Sequence, residues 1–333
     1  MSRRAPIAGA ALVPRALASL IAVGLASLLA SCSGDSSPTK APNGPPLQEI
    51  TLPGAVVMIG AGDIGVCGTN GDEATGKLID SLLVSDSIAN IRTEVFTIGD
   101  NAYPSGAEGV SRDFSRCFAP SWGSPRVMRV IHPSPGNHDY DSGSGAPYFA
   151  FFGDRAGPAG RGYYSYDVGA WHAISLDSEL YFDGGTPAEA RAQETWLRRD
   201  LAEHPALCTL AYFHRPPFSS GDYGGTREVR PLWTILAEGG ADLVLGGHEH
   251  DYERFAPLNA AGVADSAAGM QEIIAGTGGG ELRGIRYPHS TNSVVHVQGH
   301  FGVLKLALGS DEYSYTFIGV DGRIWDAGAR KCH

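Results

Sequence analysis

The chain has 333 residues, 43% hydrophobic and 18% charged, an ordinary globular composition with length enough for one large domain or two smaller ones. Its 45 glycines and 21 prolines read as many loops and turns rather than long helices. The net charge of −11 disfavours nucleic acid as the main partner, because phosphate backbones are bound by Lys and Arg.

Residues 1–31 read as a leader rather than as part of the fold. Arg3, Arg4 and Arg15 give it a positive start, and Ala16 to Ala30 is a continuous apolar stretch. That stretch is short of the roughly 20 residues a membrane span needs, so a signal peptide accounts for it better. It ends in Leu29-Ala30-Ser31-Cys32, which resembles the bacterial lipobox, where cleavage precedes a lipidated cysteine. The expectation is an exported protein of the bacterial cell envelope, periplasmic or cell-surface, held to a membrane by acyl chains on Cys32. Ordinary signal cleavage with an incidental Cys32 is the plainer alternative. Residues 32–50, rich in Ser, Pro and Gly, read as a flexible tether, and residues 51–333 as the domain. The leader holds three arginines and no acid, so the mature chain keeps 22 basic residues against 36 acidic, net −14.

Along the domain, Ala55 to Ala61 is an apolar run that reads as a buried strand and runs into Gly62-Asp63-Ile64-Gly65. A helix is predicted over Asp72 to Val84, where Leu78, Ile79, Leu82 and Leu83 recur at helical spacing. Glu94 to Gly99 predicts a second strand, delivering Asp100-Asn101-Ala102-Tyr103. Val127 to Ile131 predicts a third, leading towards Gly136-Asn137-His138-Asp139, and Trp171 to Leu176 another. Thr186-Pro187-Ala188-Glu189 is a capping box with Pro at the first helical position. The helix it opens, to about Glu203, should turn Trp196, Leu197 and Leu201 inward. A strand from Thr209 to Phe213 precedes His214-Arg215-Pro216. A helix from Arg230 to Glu238 follows, and Ala241 to Gly246 precedes Gly247-His248-Glu249-His250-Asp251-Tyr252-Glu253-Arg254. Beyond Gly262 strands and turns dominate, including Gln271 to Ala275 and Gly302 to Leu308. Gly276 to Gly280 lacks the Lys-Ser/Thr ending of a P-loop and reads as a tight turn near the site. Alternating strands and helices with a β-rich tail predict a layered α/β fold, whose sites form beyond the carboxyl ends of the strands.

Four cysteines follow the leader segment and Cys32: Cys67, Cys117, Cys208 and Cys332. An even number in an exported domain predicts two disulfides, with three pairings open. Cys67 and Cys117 follow the first two clusters, so their loops should lie on one side of the sheet. Cys208 opens a strand and Cys332 is next to last, so joining them would pin the C-terminus. The favoured pairs are therefore 67–117 and 208–332; zinc ligation by the four is disfavoured, since none are spaced as Cys-x-x-Cys.

Five short clusters thus stand in order, each supplying carboxylate, phenol, amide or imidazole donors. Singly each is weak: Gly-Asp pairs punctuate loops, Gly-Asn-His-Asp is commonly a turn, and a lone His214 would be a core histidine. Together they have the composition of a two-metal site, which needs a bridging carboxylate and terminal oxygen and nitrogen ligands.

The five clusters, from Asp63 to Arg254, resemble the five blocks of the purple acid phosphatases among the calcineurin-like metallophosphoesterases. The resemblance implies an α/β metallophosphoesterase four-layer sandwich of two mixed β-sheets flanked by helices. It also implies a dinuclear centre of Fe(III) plus a divalent ion, Fe, Zn or Mn. Asp63, Tyr103 and His250 would bind the ferric ion and Asp100 would bridge; Asn137, His214 and His248 would complete the second site. His138 would face the substrate, with Asp139 orienting its imidazole. Tyr252, Glu253 and Arg254 read as structural, with Arg254 pairing locally. Most of the wider superfamily has a His where Gly65 stands and no tyrosine at Tyr103, and a phenolate favours a trivalent ion. The implied reaction is hydrolysis of a small phosphomonoester by metal-bound hydroxide, with His138 assisting the leaving group. The alternatives are a phosphodiesterase acting on cyclic nucleotides or phospholipid head groups, and a non-catalytic surface lipoprotein that binds phosphate or a partner. The remaining histidines, His132, His172, His204, His289, His296, His300 and His333, read as structural or surface, with His296 and His300 nearest to candidates for the pocket border. The oligomeric state has no sequence signal.

Overall fold

A computed structural model describes residues 46–103, 113–141, 143–285 and 289–333; the leader, Cys32 and most of the tether lie outside the described residues. Thirteen strands form two mixed sheets among the described residues. The first holds β1 (Val56–Ala61), β2 (Thr93–Ile98), β3 (Ile131–Ser134), β11 (Gly302–Leu308), β12 (Glu312–Gly319) and β13 (Ile324–Lys331), in the order β13-β12-β11-β1-β2-β3. The second holds β4 (Tyr164–Val168), β5 (Trp171–Ser175), β6 (Cys208–Tyr212), β7 (Leu243–Gly246), β8 (Tyr252–Phe255), β9 (Gln271–Ala275) and β10 (Ser293–Val297), in the order β10-β8-β9-β7-β6-β5-β4. β1, β2 and β3 run parallel in one sheet, and β5, β6, β7 and β9 parallel in the other, with antiparallel strands outside them.

The period-2 alternation of each strand decides the layering. Met58, Phe96, Ile98, Leu210, Tyr212, Leu243 and Leu245 meet Leu304, Leu306 and Phe317 in the core between the sheets. Their neighbours Val57, Ile59 and Val95 face outward under α1 (Gly71–Ile88) and α2 (Ala146–Phe152). Ile174, Ala211, Phe213 and Val244 face outward on the other sheet, under α3 (Pro187–Glu203) and α4 (Arg230–Glu238). The result is the expected four-layer α/β sandwich, and strands buried on both faces explain the near-continuous apolar runs. The capping box at Thr186 is present, with Glu189 N–H on Thr186 Oγ1 at 3.3 Å and Thr186 N–H on Glu189 Oε2 at 2.8 Å.

Two expectations are corrected. Val127–Val130 is a helical turn, not the start of the third strand, which begins at Ile131. Ser124-Pro125 opens that turn: the Val127 and Met128 N–H groups donate to Ser124 Oγ and the Ser124 carbonyl, at 3.3 and 2.9 Å. Arg254 does not pair locally but reaches Asp326 on β13, with Nε on Oδ2 at 2.6 Å and Nη2 on Oδ1 at 3.2 Å. The disulfides join Cys67 to Cys117 and Cys208 to Cys332. At the start of the described chain, Glu49 lies 2.9 Å from Lys305 Nζ, which also reaches Asp86 at 3.2 Å. Among the described residues no helix is long and apolar enough to cross a membrane.

Candidate metal centre

The parallel strands of both sheets deliver the five clusters to one region. Asp63 lies two residues beyond β1, Asp100 two beyond β2 and Asn137 three beyond β3. From the other sheet, His214 lies two beyond β6 and His248 two beyond β7, and His250 precedes β8. The loops after β1 and β2 run side by side: Asp63, Ile64 and Gly65 donate to the carbonyls of Gly99, Asp100 and Asn101 at 2.9–3.0 Å. Gly247 donates to the His214 carbonyl at 2.9 Å and so ties β6 to β7 beyond their ends.

All seven candidate ligands come together, in two adjoining groups. In the first, Tyr103 Oη donates to Asp63 Oδ1 at 2.9 Å and lies 3.0 Å from His250 Nε2, which is 3.2 Å from the same carboxylate oxygen. In the second, His214 Nε2 lies 3.3 Å from Asp100 Oδ2, 3.2 Å from Asn137 Oδ1 and 3.2 Å from His248 Nδ1. One donor atom each of Asp63, Asp100 and His214 lies within 4.8 Å of the other two, which joins the groups. Asp63, Asp100 and His214 are at most 1% exposed.

Three of these side chains sit on strained backbone. The non-glycine residues with positive φ are Asp63 (61°), Asn90 (58°), Asp100 (48°) and His248 (69°) among the described residues. That conformation is uncommon for non-glycine residues and persists where surroundings over-determine it, as at functional sites. Here backbone hydrogen bonds and buried contacts do so: His248 N–H donates to Asp63 Oδ2 at 2.8 Å, and His138 N–H to Asp100 Oδ1 at 2.9 Å. Gly280 completes the first group from the glycine run, donating to the Asp63 carbonyl at 2.7 Å. A Cβ there would stand 2.8 Å from His250 Cε1 and 3.3 Å from Tyr103 Oη, so only glycine lets that backbone close the group. The run lies at the site but is not the expected tight turn: Gly276, Gly278 and Gly280 N–H groups donate to the carbonyls of Asp251, Gly62 and Asp63 at 3.1, 2.9 and 2.7 Å, so it runs along the loop beyond β1.

The donor set fits a pair of cations. His214 Nδ1 lies 2.9 Å from the Ile98 carbonyl and His250 Nδ1 2.6 Å from the Glu281 carbonyl, which fixes both rings with Nε2 turned to the carboxylates. Burial works against charge on His214, yet the Asp100 charge and hydrogen bond outweigh it and raise its pKa to about 10. Burial also pushes the Asp100 carboxyl up, but His214, then His138 and His248, hold it below the usual carboxylate range. Buried carboxylates that draw protons onto buried imidazoles mark a place where positive charge is favoured. Phenol, carboxylate, amide oxygen and imidazole together suit hard and borderline ions. His248 is different: burial, then the charges of His214 and Arg215, lower its pKa to about 2, so it stays neutral.

His138 stands at the solvent side, its side chain 33% exposed and Nε2 3.9 Å from Asp100 Oδ2. The expectation that Asp139 orients it is overturned. Asp139 is fully buried and accepts from the N–H groups of Asn101 and Gly136 and from Asn101 Nδ2, at 2.9–3.1 Å, so it braces the two loops. His138–Tyr140 is a 3₁₀ turn, which brings residue i+3 round to residue i, and Asp141 Oδ2 lies 2.8 Å from His138 Nδ1.

Other residues were not legible as part of the site. Arg215 lies with Nη1 3.1 Å from His248 Nε2 and with Nε on both oxygens of buried Glu179, at 3.0 and 2.9 Å. Tyr223, 59% exposed, stacks on His248 at 4.8 Å, and Arg283 covers its ring at 4.7 Å. The loop carrying Tyr223 rests on buried acids: Phe218, Ser220 and Tyr223 N–H groups donate to Glu272, Glu253 and Glu249 at 3.4, 2.8 and 2.8 Å. The one available sign is alternation in the last cluster, where His248 and His250 turn to the site and Glu249 and Glu253 to the loop.

The family model for calcineurin-like phosphoesterase matches residues 59–252. An uncharacterized protein of Mycobacterium tuberculosis is 29% identical over 261 residues, 63% of this chain and 49% of that protein. Acid phosphatase type 7 of Danio rerio is 32% identical over 154 residues, 37% of this chain and 33% of that one. The chain thus spans a third to a half of the length of these curated relatives. Among solved structures, purple acid phosphatase PPD1 from yellow lupin (Lupinus luteus) seeds has the same fold, with a TM-score of 0.69 at 21% identity over 85% of this chain and 54% of that one. Strand-end donors from both sheets and the match over residues 59–252 lead to one conclusion: the chain belongs to the calcineurin-like phosphoesterase family, with purple acid phosphatases among its homologues.

Proposed function

We propose that this chain is a dinuclear-metal hydrolase of small phosphomonoesters, acid phosphatase-like in activity. The observation that carries the reading is the pair of donor groups, Asp63/Tyr103/His250 and Asn137/His214/His248, with Asp100 between them. Asp63, Tyr103 and His250 would hold a ferric ion, and the second group a divalent iron, zinc or manganese ion. When bound, such a pair supplies an acidified water and charge neutralisation at phosphorus. His138 would hand a proton to the leaving oxygen, a role supported by its part-exposed side chain beside Asp100 and its contact with Asp141. Arg215, held by Glu179, puts a fixed positive charge beside the second group, where a phosphate dianion would bind. The relatives named acid phosphatase support the same reading.

The leader over residues 1–31, the tether over 32–50 and a lipid anchor on Cys32 complete the proposal, with residues 51–333 as the catalytic domain. Two disulfides fit an exported protein. Mass spectrometry of the mature N-terminus and release of a Cys32→Ala variant into the soluble fraction test the anchor.

Metal analysis with a visible spectrum tests the centre. The expected result is iron with a tyrosinate-to-iron absorption band that disappears in Tyr103→Phe. A colourless, iron-free but active enzyme would overturn the ferric assignment. Faster turnover of diesters than of monoesters would favour the phosphodiesterase alternative.

A further inference from the structure

A second convergence of nitrogen and oxygen donors lies away from the five clusters, where the end of α3 meets the outer face of the second sheet. His172 on β5 faces the same side as Ile174, towards the helical layer, and is 1% exposed. Asp200 is in the last turn of α3 and His204 caps it. His172 Nε2 lies 2.8 Å from Asp200 Oδ2, and His204 Nδ1 lies 3.4 Å from Asp200 Oδ1. One donor atom from each of the three falls within 4.8 Å of the other two. The two imidazole rings are stacked, 4.8 Å apart and 11° from parallel.

The supporting layer is also in place. Asp167 Oδ1 lies 3.2 Å from His172 Nδ1, and Ser165 Oγ donates to Asp200 Oδ1 at 2.7 Å. A carboxylate on the far nitrogen of a histidine is the arrangement that fixes a metal-binding imidazole with its other nitrogen free for the ion. We propose that His172, Asp200 and His204 form a mononuclear site for a zinc-class divalent ion, with Asp167 and Ser165 behind them and solvent at the fourth position.

Two imidazoles and one carboxylate select zinc and its neighbours over magnesium and calcium, which prefer oxygen. Burial disfavours charge on His172, yet Asp200 and Asp167 raise its pKa above the ordinary value, so the pocket favours a cation. His204 would give up the hydrogen bond between its Nδ1 and the Asp200 carbonyl, 2.9 Å long, at a helix end where its side chain is 46% exposed. The site would clamp the C-terminal end of α3 to β5, and so fasten the layer that covers the second sheet.

The test is equilibrium dialysis of the full chain against Zn²⁺ with Mg²⁺ in excess, followed by metal analysis. The parent should hold one more zinc per chain than His204→Ala, and Asp167→Asn should weaken that additional equivalent about 10- to 100-fold. Zinc taken up by the strand-end clusters is common to all three proteins and cancels in the difference. His204 is half-exposed, so the variant folds, and matching circular dichroism spectra check this. Zinc should also raise the melting temperature of the parent more than that of His204→Ala. Equal zinc content in parent and His204→Ala, with equal melting shifts, would overturn the site.

Discussion

The backbone N–H of Tyr103 donates to the carbonyl of Gly65 at 2.9 Å, while Gly65 N–H donates to the carbonyl of Asn101 at 3.0 Å. Gly65 and Ala102 form an isolated parallel bridge, so the loops beyond β1 and β2 extend the sheet by one more pair. That bridge carries the Tyr103 ring onto Asp63 and His250. Gly65 and Tyr103 are therefore parts of one structural feature. The close approach that lacks a side chain at Gly65 is what positions the phenol.

A Cβ at Gly65 would stand 2.8 Å from the Asn101 carbonyl oxygen and 3.1 Å from the Phe118 backbone nitrogen, and neither backbone can swing aside. Gly65→Ala should lose about 1–3 kcal/mol of stability by forcing the loops apart. If the centre holds the proposed ferric ion, the variant should also lose iron and visible colour ahead of global unfolding, because Tyr103 moves off Asp63. Urea denaturation and the visible spectrum of the folded variant check both, and a variant with unchanged colour would uncouple the two residues.

The strands and the long helices were legible because their signals are local. β1, β2, β6 and β7 are apolar runs bounded by glycine or turns, and Thr186 to Glu189 spells out its own cap. The convergence of the five clusters was legible for the same reason, since each candidate ligand follows a strand end within a few residues. What could not be read depends on turns or on distant chain. Val127–Val130 has strand-like composition, and the hydrogen bonds of Val127 and Met128 N–H to Ser124 fold it as a helical turn instead. Asp139 is adjacent to His138 in sequence, but a 3₁₀ turn gives the contact to Asp141. Arg254 needs the pairing of β12 with β13 before Asp326 can be placed beside it.

The division of labour between Asp139 and Asp141 predicts two different phenotypes. His138→Ala should lower kcat about 10²- to 10⁴-fold, the range for a lost general acid. Asp141→Asn should lower kcat by a smaller factor and leave KM near the parent value, because the imidazole keeps its place but loses its hydrogen-bond partner. Asp139→Asn should instead lose roughly 1–3 kcal/mol, because an amide NH₂ would face backbone donors. Values of kcat and KM, with urea denaturation of each variant, separate the two; a loss of kcat with unchanged stability in Asp139→Asn alone would reverse the assignment.

The Arg254–Asp326 pair is buried, with side chains 13% and 7% exposed, and Tyr252 Oη adds a hydrogen bond to Asp326 Oδ2 at 2.8 Å. Arg254→Met should cost about 3–5 kcal/mol, because the Asp326 charge would be left buried with one donor. The double variant Arg254→Met/Asp326→Leu should recover much of that loss. Denaturation midpoints measure the cycle, and an equal or larger loss in the double variant would place the cost in packing rather than in charge.

Asp177 supplies a pH dependence whose sign is fixed. Burial raises its pKa from 3.8 to about 8, against the opposing hydrogen bond from Tyr140. Its Oδ2 lies 2.6 Å from Tyr140 Oη, and its Oδ1 accepts from Glu179 N–H at 2.9 Å. Between these two pKa values the folded chain binds a proton that the unfolded chain has lost. The contribution to stability is therefore complete below pH 3.8 and is lost as pH rises through about 8. Asp177→Asn removes this titration, so the parent should lose stability relative to the variant by up to about 1.4 kcal/mol per pH unit across that window. Above the folded pKa the difference should level off. Denaturation of both proteins from about pH 5 to about pH 9 measures it, and parallel stability curves would show that Asp177 is ionised in the fold.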